Sequence, residues 1–131
     1  MVEEIRRALE ALAEMSPEER KAAMQERLER YYQMSEEERG RAMRQAVEVA
    51  YNLPEEKLRK IIETRTRLLC EFPEEKRNVL LQAHLKAVGS LPREKAIRDV
   101  ELVQTLSPEL FGSHQDILKE IIRRTRERLT A

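Results

Sequence analysis

Three side chains in the chain have the chemistry of a base, a metal ligand or a nucleophile: His84, His114 and Cys70. A histidine that works as a general base or holds a metal needs convergent partners at helical or loop spacing. None is found near these two: the sequence has no HxxxH, no ExxH and no CxxC. The paired glutamates Glu18–Glu19, Glu37–Glu38, Glu55–Glu56 and Glu74–Glu75 have the residue type of a carboxylate metal site. They recur at helix starts, however, where acidic side chains meet the positive end of the helix dipole. There is no Gly-rich phosphate loop and no nucleophile elbow. The residues therefore point away from an enzyme, and they imply no cofactor and no metal. An enzyme using a helix-lined pocket of Glu and His84 stands as the third reading.

The other chemistry is that of surfaces. Tyr and Arg are the residue types that anchor protein interfaces. Tyr31, Tyr32 and Tyr51 fall near helix ends, and Arg27, Arg30 and Arg65 lie within reach of them along an array. These side chains are expected either to line a partner groove or to close the core with their hydroxyls in water. The run Thr64–Arg65–Thr66–Arg67 is polar for a central helix and marks a place to expect an exposed groove. Leu110 and Phe111, in an irregular connection, are expected to tuck over the end of the bundle or to dock onto a second subunit.

What positions these residues is a repeat. Met15, Met34, Leu53, Phe72 and Leu91 are spaced by 19, and each opens a helix-start string: MSPEER, MSEEER, LPEEKL, FPEEKR and LPREKA. Ser16 with Glu19 and Ser35 with Glu38 have capping-box spacing. Pro54, Pro73 and Pro92 fit the first helical position, where a missing N–H costs nothing. Nine residues after each start come Met24, Met43, Ile62, Leu81 and Val100, and one residue earlier Ala23, Ala42, Ile61 and Leu80, with Asp99 breaking the run. Such offsets make an apolar stripe on an amphipathic helix. The same register reaches back to Ile5, Leu9 and Leu12. Connections of two to four residues make neighbours antiparallel.

The spacing predicts an all-α chain of seven short antiparallel helices over 2–14, 17–32, 36–51, 54–70, 73–88, 92–106 and 114–129, in one domain. The segment 106–113 is the irregular link. AMRQAVEVAY and LLQAHLKAVG are apolar nearly all round, and AMQERLERYY and IIETRTRLLC are more amphipathic, which suggests inner and outer helices of 38-residue hairpins. That length resembles the units of α-solenoids such as tetratricopeptide or HEAT repeats, although the tetratricopeptide aromatic signature is absent. A solenoid-like array and a compact bundle both fit.

Composition agrees. Glu outnumbers Asp by 23 to 2 and Arg outnumbers Lys by 18 to 7, as a helix-saturated chain requires. With three Gly and one Cys, it also suits a heat-adapted source. The formal net charge is zero, whereas a nucleic-acid-binding domain usually has a strong basic face. The local excess at Arg123, Arg124, Arg126 and Arg128 fits the negative end of the last helix. No secretory leader or membrane span is visible, so a soluble cytoplasmic protein is expected. The leading expectation is a non-catalytic protein–protein interaction or scaffold module with an unidentified protein partner, a homodimer among the options. A nucleic-acid-associated accessory protein using Arg-rich faces is second. Any site is expected where the period fails: at Asp99, in the Thr-Arg run and at 106–113.

Overall fold

A computed structural model describes residues 2–130. Seven α-helices follow one another: α1 (Val2–Glu14), α2 (Pro17–Gln33), α3 (Glu36–Ala50), α4 (Glu55–Glu71), α5 (Glu74–Gly89), α6 (Arg93–Gln104) and α7 (Ser113–Thr130), with a short 3₁₀ turn at Ser107–Glu109. Helices α2 to α6 begin at residues 17, 36, 55, 74 and 93, so the 19-residue spacing of the sequence is the spacing of the helix starts.

The local causes of these starts are visible. The Ser16 hydroxyl accepts from the Glu19 N–H, and the Glu19 carboxylate accepts from the Ser16 N–H, a complete capping box. Ser35 makes half of one: its hydroxyl accepts from the Glu38 N–H but donates to the Glu38 carboxylate, which leaves its own N–H out of the exchange. The three prolines stand one residue earlier than expected. Pro54, Pro73 and Pro92 have extended ψ near 145° and are N-cap residues; their carbonyls accept the first helical bonds, from Leu58, Arg77 and Ala96. The last helix also departs from expectation. Ser113 lies inside α7, and the Gly112 carbonyl accepts from the Gln115 and Asp116 N–H groups. Gly112 has φ of 59°, a left-handed conformation that glycine adopts at little cost.

A further periodic device joins each helix to the one before it. Arg20 donates to the carbonyls of Leu12, Ala13 and Met15 at 2.7–3.1 Å. Arg39, 19 residues on, donates to Tyr31, Tyr32 and Met34 at 2.7–3.1 Å. Arg77 donates to Phe72 at 2.9 Å. Each guanidinium sits in the first turn or so of its own helix and satisfies carbonyls left open at the end of the preceding one. The corresponding residues of α4 and α6 are Leu58 and Ala96, both 1% exposed.

The packing is more than a row of hairpins. Helices two apart in sequence pack along the whole chain, α1 on α3 through to α5 on α7; α4 also packs on α1 and α7, and α5 on α2. One apolar cluster runs from Leu9 in α1 to Leu118 in α7. The expected inner character of α5 is seen in Leu80, Leu81, His84, Leu85, Ala87 and Val88, all buried. Helix α4 is not an outer helix. It buries Leu58, Ile61, Ile62, Thr66, Leu68, Leu69 and Cys70 and touches α1, α2, α6 and α7. No helix among the described residues is long and apolar enough to cross a membrane.

Candidate functional site

The departures from the repeat converge. Asp99 of α6, in a stripe position that is otherwise apolar, is 2% exposed. The hydroxyl of Tyr51, at the end of α3, donates to Asp99 Oδ1. Arg65 of α4 places a guanidinium nitrogen 3.5 Å from the same oxygen. His84 Nε2 of α5 lies 3.6 Å from Oδ2. Four side chains from four helices thus form one buried polar cluster in an apolar surround. Its carboxylate has one hydrogen bond and two longer approaches.

Burial acts on Asp99, Arg65 and His84. It pushes the Asp99 carboxyl up to about 7 and Arg65 down to about 10. His84 is held well below the usual imidazole range, first by burial and then by the neighbouring Arg65 charge. The imidazole is therefore neutral at pH 7. Among the described residues His84 Nε2 and Arg65 Nε have no hydrogen-bond partner, nor does the buried hydroxyl of Thr66.

Arg65, His84 and Tyr51 also line a cavity of about 70 Å³ enclosed by α1 to α5. The rest of its wall is apolar except for Arg27 and Tyr31 of α2. Arg27 Nε donates to the Tyr31 hydroxyl at 3.0 Å, and its guanidinium lies over the Tyr31 ring, 5.6 Å from the centroid. Of all the lining residues only Arg27, Ala46 and Arg65 are partly exposed, so the way to solvent passes between them.

This arrangement brings Tyr31, Tyr51, Arg27 and Arg65 together, as an array of these residues would require, but inside the molecule. The tyrosine hydroxyls are not in water: one meets a carboxylate and the other a guanidinium. The Thr64–Arg67 run is not an exposed groove either. Thr66 is 1% exposed and Arg65 faces Asp99, because α4 lies between two pairs of helices. Thr64 and Arg67 keep partial exposure, and Arg67 pairs with Glu109 at 2.8 Å and Glu63 at 3.5 Å. Arg30 is exposed and pairs with Glu26. Tyr32 is half-buried beside Lys76, whose ammonium lies 5.6 Å from its ring and 4.4 Å from that of Phe72 and pairs with Glu29.

His84 meets an aspartate from α6, and the first-turn glutamates lie elsewhere. Cys70 is buried, with its thiol pushed up by burial and directed to the His114 carbonyl at 3.8 Å. Among the described residues no group of three potential metal ligands forms. Of the C-terminal arginines, Arg123 pairs with Glu120 and Glu127 on its own helix, and Arg124 donates to Asn78.

The link between α6 and α7 holds the second feature. Leu110 tucks into the core at 5% exposure, as expected, but Phe111 does not: it is 80% exposed. The link is tied down around it. Gln115 Nε2 donates to the Ser107 carbonyl and hydroxyl at 3.1 Å, Glu109 pairs with Arg67, and Leu106 is buried. The extended Leu110 and the left-handed Gly112 turn Phe111 outward. Nothing in its local sequence separates Phe111 from Leu110; the direction of each is set by the turn.

No family model, no curated protein and no solved structure matches this chain.

Proposed function

We propose that the protein is a non-catalytic binding module that docks a protein partner through the α6–α7 link, with Phe111 as the anchor. The observation that carries this reading is Phe111 itself, a large aromatic side chain 80% exposed on a link fixed at both sides. Exposed aromatic side chains are the usual energetic centre of an interface. A link already ordered before binding loses little further conformational freedom when it docks. Elsewhere the surface carries exposed ion pairs within single helices, which suit solubility more than recognition, and the further exposed large apolar side chains among the described residues are Val2 and Ile97, at 64% and 38%.

Affinity capture from the source cells tests it, with the wild-type chain and Phe111→Ser as matched baits. The expected result is a partner held by the wild type and lost by the variant, with both baits melting at the same temperature. Equal recovery by the two baits, or no specific partner for either, would overturn the reading. A partner that is a second copy of the chain would be seen by sedimentation as a dimer that Phe111→Ser dissociates.

A further inference from the structure

The cavity among α1 to α5 has a chemistry of its own. Its wall is Leu, Ile, Met, Val and Ala except at Arg27, Tyr31, Tyr51, Arg65 and His84. Two of these are arginines, and with Ala46 they are the lining residues that keep partial exposure. Among the described residues no carboxylate is within ion-pair distance of Arg27, whose hydrogen bond goes to Tyr31. Arg65 has Asp99 at 3.5 Å and leaves Nε unpartnered. His84, with a side chain 8% exposed, lines the same space and leaves Nε2 unpartnered.

The two arginines bring two positive charges to a largely apolar site, and among the described residues Asp99 is the one acidic group within ion-pair distance of the cluster. Positive charge in excess at a water-poor site is costly unless an anion compensates it. Guanidiniums suit carboxylates in particular, since the planar fork matches the two oxygens. Behind the guanidiniums the space is apolar and small. At about 70 Å³ it is roughly half the volume of an engineered cavity that accepts benzene, so it suits a chain of only about three to five carbons.

We propose that this cavity is a binding site for a short-chain aliphatic carboxylate, with the carboxylate between Arg27 and Arg65 and the alkyl chain against Ile61, Leu80 and Met24. His84, whose Nε2 is unpartnered, and Tyr51, whose hydroxyl is held by Asp99, line the same space and order the polar side of the site. The proposal is independent of the Phe111 reading: an anion site inside α1 to α5 neither needs nor touches the α6–α7 link.

Titration calorimetry on the whole chain tests it, with sodium butyrate as the probe and three controls. 1-Butanol has the chain without the charge, butylammonium has the opposite charge, and inorganic phosphate has the charge without the chain. Saturable butyrate binding is expected below about 20 mM, with each control weaker by roughly tenfold or more, the scale of a charge-assisted hydrogen bond. Arg27→Met and Arg65→Met are each expected to weaken butyrate by roughly tenfold to a hundredfold. Ala46→Phe, which obstructs the opening without touching a charge, is expected to abolish it. If Arg65→Met does not fold, Arg27→Met, at a partly exposed position, decides. No saturable binding would overturn the proposal and leave a cavity occupied by water only. Equal binding of butanol would reduce it to an apolar void, and equal binding of phosphate to an adventitious anion site. Unchanged butyrate affinity in both arginine variants would overturn it as well.

Discussion

A single carboxylate and a single imidazole, placed against each other in the core, pull the pH dependence of stability in opposite directions. Asp99 is held up near pH 7 by burial against an ordinary value of 3.8. Between those two values the folded chain keeps a proton that the unfolded chain has lost, so this group's contribution falls as pH rises, by about 1.4 kcal/mol per pH unit. His84 is held well below 6.5 by burial and by Arg65. Below 6.5 the unfolded chain carries a proton that the folded chain does not, so its contribution rises with pH at the same rate. Below about pH 6.5 the two slopes therefore oppose each other. Removing one should unmask the other. In its own profile Asp99→Asn is expected to gain stability with rising pH up to about 6.5, and His84→Leu to lose it up to about 7. Urea midpoints at pH 4.5, 5.5 and 6.5 measure both. Parallel profiles in all three proteins would mean that neither group is perturbed as the buried cluster implies.

The helix ends set a ranking of a different kind. Arg39 satisfies three carbonyls at the end of α2, and Arg77 satisfies one at the end of α4. Hydrogen bonds to a charged donor contribute about 1.5–3 kcal/mol, and those that leave acceptors partly buried are the most costly to lose. Arg39→Ala is therefore expected to destabilise by about 2–3 kcal/mol, Arg77→Ala by less, and Ser35→Ala by about 1 kcal/mol. Arg39→Lys should recover little, because an ammonium cannot span the three oxygens that the planar fork reaches. Thermal denaturation of the four variants gives the order, and Arg77→Ala costing more than Arg39→Ala would contradict it. The contrast with the sequence is instructive at this scale. Helix starts were legible because Ser16, Ser35 and the prolines act on backbone groups within three or four residues. The arginine column at 20, 39 and 77 keeps the same 19-residue register with a gap at Leu58, yet its acceptors lie at the end of the previous helix and in the link after it, so a reading of each helix by itself sees only a charged face. Asp99 was legible as a break in the stripe, but its partners were not. Tyr51 is 48 residues away, and only the packing of α4 with α6 brings in Arg65.

At the scale of the whole molecule the question is whether a 19-residue period makes independent units. An open array has contacts between neighbours alone, and its stability is close to a sum of local terms that can melt in segments. Here α4 joins α1 and α2 to α6 and α7, so the two ends share one central helix. The polar cluster repeats the connection with side chains from α3, α4, α5 and α6. Removing α3 with Tyr51, or α6 with Asp99, would leave a buried polar group without its hydrogen bond, which is costly. Loss of one end should therefore carry the other with it. Two-state unfolding is the expected result, with helix signal and tyrosine fluorescence changing together. Ile62→Ala tests the centre directly. Ile62 is 1% exposed on α4, and truncating it should cost about 2–5 kcal/mol through lost burial and a residual cavity. In a single cooperative unit that cost lowers the hydrogen-exchange protection of the most stable amides in α1 and α7 as much as in α4. In an array of independent units, the effect would stay with α4 and its immediate neighbours, and amides of α7 would keep their wild-type protection. Exchange measured helix by helix in the wild type and Ile62→Ala separates the two, and retained protection in α7 would show that the period divides the molecule after all.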